Sequence, residues 1–326
     1  MRKVLTALAV ATALLPLAAC GGSSQSGATS GGSPATKQLR IGFSPFTLDA
    51  PALQGLNHGL EEYAKAKGYA VQVADPKGDP AKQVEQLQGW VTRKQVDAIW
   101  IIPTNPGALK TVIKSAQDAG IAVLASGKPD DYGQAGPGAG LSFNIFDYTE
   151  TGTKTGELLS ECVNKRLGGN AEVVFAQDPP TSGAGSVESA NAMKAALSKG
   201  SPNARIVSEV NHQNDRLKAQ QAVSAALQAN RNANALLGQN DEGSLGGMTA
   251  FKQAGKDVKT ACIVGFGGGQ SAQDAVKAGD LYGVVAINFH NDLVQNVDLL
   301  AKMAGDPKAT GQVTKPPVDV VKAPGA

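Results

Sequence analysis

From Leu39 onward, short apolar runs alternate with segments of helical period, and that alternation leaves few architectures open. "LRIGFS", "AVQVAD", "VDAIWIIP" and "IAVLAS" are short and rich in β-branched residues, so they read as strands. Between them, "PALQGLNHGLEEYAKAKG", "PAKQVEQLQGWVTRKQ" and "PGALKTVIKSAQDAG" carry apolar residues at helical spacing, the first closing on Gly68. A βαβα order requires a parallel sheet with helices on both faces. After a glycine-rich connection, Lys128 to Gly140, a second series begins with the helix "ETGTKTGELLSECVNKRLG". It continues through strands "AEVVFAQ", "RIVSEV", "ALLGQN" and "ACIVGFG", with helical segments between them. The fold class is α/β, with two doubly wound parallel-sheet lobes, each offering loops at the carboxyl ends of its strands to a ligand.

The start of the chain is different. Met1 to Ala19 has a basic opening (Arg2, Lys3), an apolar stretch from Val4 to Leu17 and small residues at Ala18 and Ala19, which is the pattern of a secretory signal peptide. That stretch is shorter than the roughly 20 residues a membrane span needs, and no later segment is long and apolar enough. Leu17-Ala18-Ala19-Cys20 followed by glycine resembles the lipobox of bacterial lipoproteins. On that resemblance the Cys20 thiol carries a lipid, each buried methylene adding about 0.8 kcal/mol of membrane affinity. Residues 20–37 hold too few apolar side chains to offset ordering entropy and read as a flexible tether. The expected location is the outer face of the cell membrane.

Beyond the tether, roughly 290 residues exceed the size at which single cores stop growing, which again asks for two lobes. The formal charge is +2, and it falls to zero without Arg2 and Lys3, so neither nucleic acid nor an anionic surface is an expected partner. Cys162 and Cys262 sit in the apolar contexts "LLSECV" and "TACIVGF", which favour two buried free thiols over one bridge. The sequence holds no CxxC pair, and no His/Cys cluster with ligand spacing, so no metal is expected.

"LRIGFSPFTLDAPALQGLNHGLEEYAKAKGY", "DPAKQVEQLQGWVTRKQVDAIWIIPTNPGAL", "LLGQNDEGSLGGMTAFKQAGK" and "IVGFGG" resemble the ribose-binding type of periplasmic sugar-binding protein, and the likeness covers nearly everything after the tether. The resemblance implies a type I periplasmic binding protein: two lobes joined by a three-segment hinge, a ligand gripped between them, and delivery to the permease of an ABC importer. Applied to this chain, it implies an N-terminal lobe of 38–143 plus 288–315 and a C-terminal lobe of 144–287 plus 316–326. The crossings fall near Ser142 to Asn144, Ile287 to Phe289 and Pro316 to Asp319. A monomer without cofactor is expected.

Candidate ligand contacts follow. Phe46, directly after the first strand, offers a ring to the carbon face of a sugar, with core packing as the alternative. Asp49 offers two hydroxyl acceptors or a helix cap. Asn240 matches the pocket asparagine of the family and both donates and accepts; Asp241 beside it is divided between ligand contact and helix capping. Asn288 falls where the resemblance puts a pocket glutamine. Asn144, Thr104 and Lys128 complete the set, while Trp90 and Trp100 read as core. Where ribose-binding relatives place an Asp-Arg pair this chain has Gly127 and Lys128, a family arginine aligns with Val187, and the aspartate of "VGFD" has become Gly267. The expected ligand is therefore a small neutral polyhydroxylated molecule other than ribose, such as a sugar alcohol or deoxy-sugar.

Catalysis is poorly provided for. "GFGGGQ" is not GxGxxG, the GxxxxGK[ST] loop is absent and "SGAGS" fails the GxSxG elbow. An enzyme is not expected, and an exported hydrolase or isomerase on this fold is a minor alternative. A ligand-presenting sensory protein for a membrane receptor is the other. A repressor is excluded because a lipobox and tether stand where a helix-turn-helix would.

Overall fold

In a computed structural model, the chain is described over residues 38–49, 51–179, 184–306 and 308–326. The signal peptide 1–19, Cys20 and the tether to residue 37 lie outside the described residues.

Two six-stranded sheets carry the fold. The first contains β1 (Arg40–Ser44), β2 (Ala70–Val73), β3 (Ala98–Ile101), β4 (Ala122–Ser126) and β5 (Leu141–Asn144), all parallel. The second contains β6 (Asn170–Gln177), β7 (Asn203–Asn211), β8 (Ala235–Gly238), β9 (Cys262–Gly267) and β10 (Gly283–Ile287), also parallel. Each sheet is finished by a strand from late in the chain. β11 (Val313–Thr314) pairs parallel with β5, and β12 (Val318–Lys322) pairs antiparallel with β10.

The inner strands β3, β4, β8 and β10 are apolar almost without a break because both faces of each sheet are covered. In the first lobe, Ile41, Phe43, Ala98 and Trp100 pack under α1 (Pro51–Ala66) and α9 (Phe289–Gly305). Ile99, Ile101, Val123 and Phe143 face α2 (Pro80–Thr92) and α3 (Lys110–Asp118) instead. Gly42 is needed on this second face, since a Cβ there would lie 2.7 Å from the Trp90 ring. In the second lobe, Val173, Phe175, Leu237 and Val285 meet α4 (Tyr148–Leu167) and α5 (Ala184–Gly200). Val174, Leu236, Ile263 and Val284 meet α6 (Arg216–Ala229), α7 (Asp241–Gln253) and α8 (Gln270–Lys277). This is period-2 alternation with an apolar partner on each side.

Helix starts are chemically marked: Asp79, Asp147 and Asp215 accept backbone N–H groups in the first turns of α2, α4 and α6. The chain passes from the first sheet to the second between β5 and α4, returns between β10 and α9, and passes again between β11 and β12.

The cysteine expectation is corrected. Cys162 on α4 and Cys262 on β9 form a disulfide, with Cα atoms 5.6 Å apart. An apolar context reports that a thiol is buried; it says nothing of whether a second thiol, 100 positions away, packs on the opposite face of the same layer. Among the described residues, no helix is long and apolar enough to cross a membrane.

Candidate functional site

The carboxyl ends of β1 and β3 are tied together by one buried side chain. Gln83 lies on the apolar stripe of α2 with Leu87, Trp90 and Val91, and its amide nitrogen donates to the Ser44 carbonyl at 3.2 Å and the Ile102 carbonyl at 3.1 Å. Its oxygen accepts the Thr104 N–H at 2.8 Å. The second lobe repeats the device: buried Gln239 donates to the Ser186 carbonyl at 2.6 Å and accepts from the Asp178 N–H at 2.8 Å. Neither glutamine is among the residues picked from the sequence. A polar side chain on an otherwise apolar helical stripe was the available signal for Gln83.

Asn240 opens α7. Its side-chain oxygen accepts the Gly243 N–H at 2.9 Å, and its amide donates to Asp178 Oδ1 at 2.8 Å and Asn214 Oδ1 at 2.7 Å. Both halves of the amide are therefore engaged within the lobe. Asp241 is likewise engaged, accepting the Gly268 and Gly269 N–H groups at 3.1 and 2.7 Å. A side chain at Gly267 would press on that carboxylate, its Cβ 2.8 Å from Asp241 Oδ2. Burial is the main influence on Asp241 and raises its pKa against those two bonds. Behind Asn240 lies His212, fully buried at 0% exposure. Its Nδ1 accepts the Asn214 N–H at 3.0 Å and its Nε2 stands 3.2 Å from Asp178 Oδ1. Burial pushes this imidazole down to about 4 and the Asp178 carboxyl up.

At the crossings, Asn144 ends β5 and its amide donates to Asp292 Oδ1 at 2.9 Å and Thr314 Oγ1 at 3.0 Å. Asp292 is buried, which raises its pKa despite bonds from Gln295 and Asn144. Asn288 caps α9, accepting from the Asn291 N–H and donating to Asp319 across the second and third crossings. Lys315 and Asp147 pair at 2.7 Å across the first and third. That pairing lowers the pKa of Asp147.

A cavity of about 530 Å³ opens between the lobes. All three crossings reach it, through Ile145 and Phe146, Phe289, and Pro316. Lys128 and Asn144, of the residues picked from sequence, line it. Phe46, Asp49, Thr104, Asn240, Asp241 and Asn288 do not. Phe46 is 38% exposed, Asp49 donates its N–H to Thr47, and the Thr104 hydroxyl is buried without a partner among the described residues. Trp100, read as core, is 1% exposed yet also borders the cavity, donating from its indole to Ser126 Oγ at 3.2 Å.

The second lobe contributes Tyr148 and Glu188 to the wall. Tyr148 packs on Phe146, ring centroids 4.7 Å apart, and on the backbone of Gly185, where any Cβ would meet the ring at 2.4 Å. Burial first, then the charges of Glu188 and Asp178, raises its phenol pKa. Lys128 Nζ stands 3.8 Å from Glu188 Oε2, bridging the lobes. Tyr148 and Glu188 escaped the sequence reading because what recruits them is the packing of α4 against α5. Gly152 and Gly156 allow that approach, for a Cβ at either would lie within 2.4 Å of an α5 carbonyl oxygen.

A family model described as the periplasmic binding protein domain matches residues 41–313. The ribose import binding protein of Bacillus subtilis (strain 168) is 27% identical over 268 residues, covering 82% of this chain and 80% of that protein. A xylitol-binding protein of Mycolicibacterium smegmatis is 27% identical over 249 residues, covering 75% of this chain and 66% of that protein. Among solved structures, an ABC transporter periplasmic solute binding protein from Actinobacillus succinogenes 130z with bound D-allose matches in fold. Its TM-score is 0.70 at 22% identity, covering 87% of this chain and 98% of that one.

Proposed function

The chain belongs to the periplasmic binding protein family, and on that premise we propose that it is an extracytoplasmic substrate-binding lipoprotein of an ABC importer, working as a monomer. It captures a small neutral polyhydroxylated ligand, a sugar, sugar alcohol or deoxy-sugar, and hands it to the permease. The observation that carries this reading is the interlobe cavity walled by both lobes and by all three crossings. A ligand in such a place touches every part whose relative position changes when the lobes move. It therefore binds the closed form better and shifts the hinge equilibrium toward it.

The names of the ribose and xylitol relatives support a polyol ligand. So does the local chemistry. Lys128 and Glu188 stand 3.8 Å apart across the cavity mouth and offset one another's charge. The Asn144 amide oxygen and the Tyr148 phenol have no partner among the described residues and suit hydroxyl groups. A lipid on Cys20 keeps the loaded protein within reach of the permease.

The test is a thermal-shift screen over pentoses, hexoses, sugar alcohols, cyclitols, amino acids and nucleosides, since a ligand of the folded form raises Tm by mass action. Stabilisation by polyols other than ribose is expected; hits confined to amino acids or nucleosides would refute the reading. For the anchor, Cys20→Ser is expected to release the protein from membranes to the soluble fraction.

A further inference from the structure

The cavity is chemically two-sided. One flank comes from the first lobe and the return crossing: Leu53 and Leu56 on α1, Ile102 after β3, and Phe289 at the start of α9. Leu56, Ile102 and Trp100 belong to or pack against the core cluster under α1 and α9, so this flank is an outcrop of the core. Apart from the Trp100 indole N–H, which is taken up by Ser126 Oγ, it presents no side-chain donor or acceptor. Phe289 is 50% exposed, an aromatic ring left in water at the edge of a cavity. The polar groups lie elsewhere, on the segment after β4 (Lys128, Asp131), at the end of β5 (Asn144), on α9 (Asp292) and on the second lobe (Tyr148, Glu188).

We infer that the ligand is itself two-sided, a hydroxylated ring or chain bearing an apolar alkyl or aryl ether substituent that lies against Leu53, Leu56, Ile102 and Phe289. This rests on the polyol reading above and narrows it. A sugar hydroxylated all round turns hydroxyls toward whatever surrounds it, and on this flank each would lose water without gaining a partner. A flat ring can accept the carbon face of a sugar, but the branched side chains of Leu53, Leu56 and Ile102 make an irregular surface better filled by a flexible or planar apolar group. Each methylene buried there is worth about a fourfold gain in affinity.

The experiment compares each polyol with its own ether by calorimetry on the full-chain protein: D-ribose with methyl β-D-ribofuranoside, D-glucose with phenyl β-D-glucopyranoside, and myo-inositol with a monobenzyl ether. At least one ether is expected to bind about tenfold or more tighter than its parent. Leu53→Asn and, independently, Phe289→Ser are expected to weaken the ether more than its parent and so erase that advantage. Parents that bind as tightly as their ethers or tighter in every pair would overturn the inference and leave the polyol reading standing. An advantage that survives both substitutions would also overturn it. No binding by any polyol or ether would overturn the polyol reading and the inference together.

Discussion

The two lobes end their parallel strands in different chemistry, and only the first lobe brings those strand ends to the cavity wall. At its strand ends the second lobe is dense with hydrogen bonds: Asn240, Asp178, Asn214, His212 and the Asp241 carboxylate on two glycine amides form a continuous polar layer. The first lobe has the Gln83 clamp and the buried Asn144, Asp292 and Thr314 group, with aliphatic surface at the cavity. A disulfide also crosses the second lobe, from α4 to β9, whereas the first lobe contains no cysteine. The second lobe is cross-linked and its strand ends are mostly bonded to one another. The other is held by apolar packing and leaves apolar surface for something else to cover. Similar folds on the two sides of the cavity thus present different parts to it, strand ends from the first lobe and the starts of α4 and α5 from the second.

The sharpest way to break the contrast is to remove the covalent link. Replacing Cys162 and Cys262 together by alanine releases a 100-residue loop in the unfolded chain, and a loss of about 3–5 kcal/mol is expected in urea unfolding. A loss no larger than that of an ordinary surface variant would show that the second lobe does not depend on its bridge.

Next in size is a pH effect carried by His212 of the second lobe. His212 is held at about 4 against an ordinary value of 6.5, so the unfolded chain binds its proton first as pH falls. Its contribution is complete above about pH 6.5 and is lost progressively toward pH 4, about 3 kcal/mol in all. The raised carboxyls of Asp178, Asp241 and Asp292 act in the opposite sense, losing stability as pH rises through their shifted range. The measurement is therefore the difference between wild type and His212→Gln across pH 4 to 7; a pH-independent difference would remove His212 from the account.

The matched glutamines sharpen the comparison further. Gln83→Met and Gln239→Met each strand a buried backbone donor and acceptor and are expected to cost about 2 kcal/mol each. Unequal losses would show which lobe tolerates a broken clamp. The smallest effect belongs to the pair that joins the lobes. Lys128 and Glu188 are 61% and 41% exposed, so Lys128→Met is expected to change stability by less than about 1 kcal/mol. Its signature would be weaker salt dependence of ligand affinity. An unchanged salt slope would mean that the bridge has no part in closure.

The architecture was legible because buried parallel strands must be apolar on both faces, and "VDAIWIIP" or "ACIVGF" has no other reading beside helices that stop at glycine. The site was less so, for a reason Asn240 makes plain. An asparagine that donates and accepts suits a sugar, but the groups that occupy its amide, Asp178 and Asn214, lie 62 and 26 positions away. Only the packed sheet brings them together. Asn144 was picked at a crossing and Lys128 where the resemblance places an Asp-Arg pair, and both line the cavity. Tyr148, Glu188 and the aliphatic flank were not picked, since a leucine at Leu53 looks the same in sequence whether it faces core or cavity. The thiols failed in the same way: burial can be read from neighbours, mutual facing cannot.

The late strand β11 has a consequence for the order of assembly. Asn144 and Thr314, bonded side by side, are 170 positions apart, and the interval holds the whole sheet of the second lobe except β12. α9, which seals one face of the first lobe, lies late in that interval, after β10. During synthesis from the amino terminus, the first lobe therefore receives α9 and β11 only after β6 to β10 of the second lobe have been made. Until α9 arrives, Ile41, Phe43 and Trp100 lack half of their cover, and a chain interrupted after β10 carries nearly all of one sheet's strands beside a half-covered one.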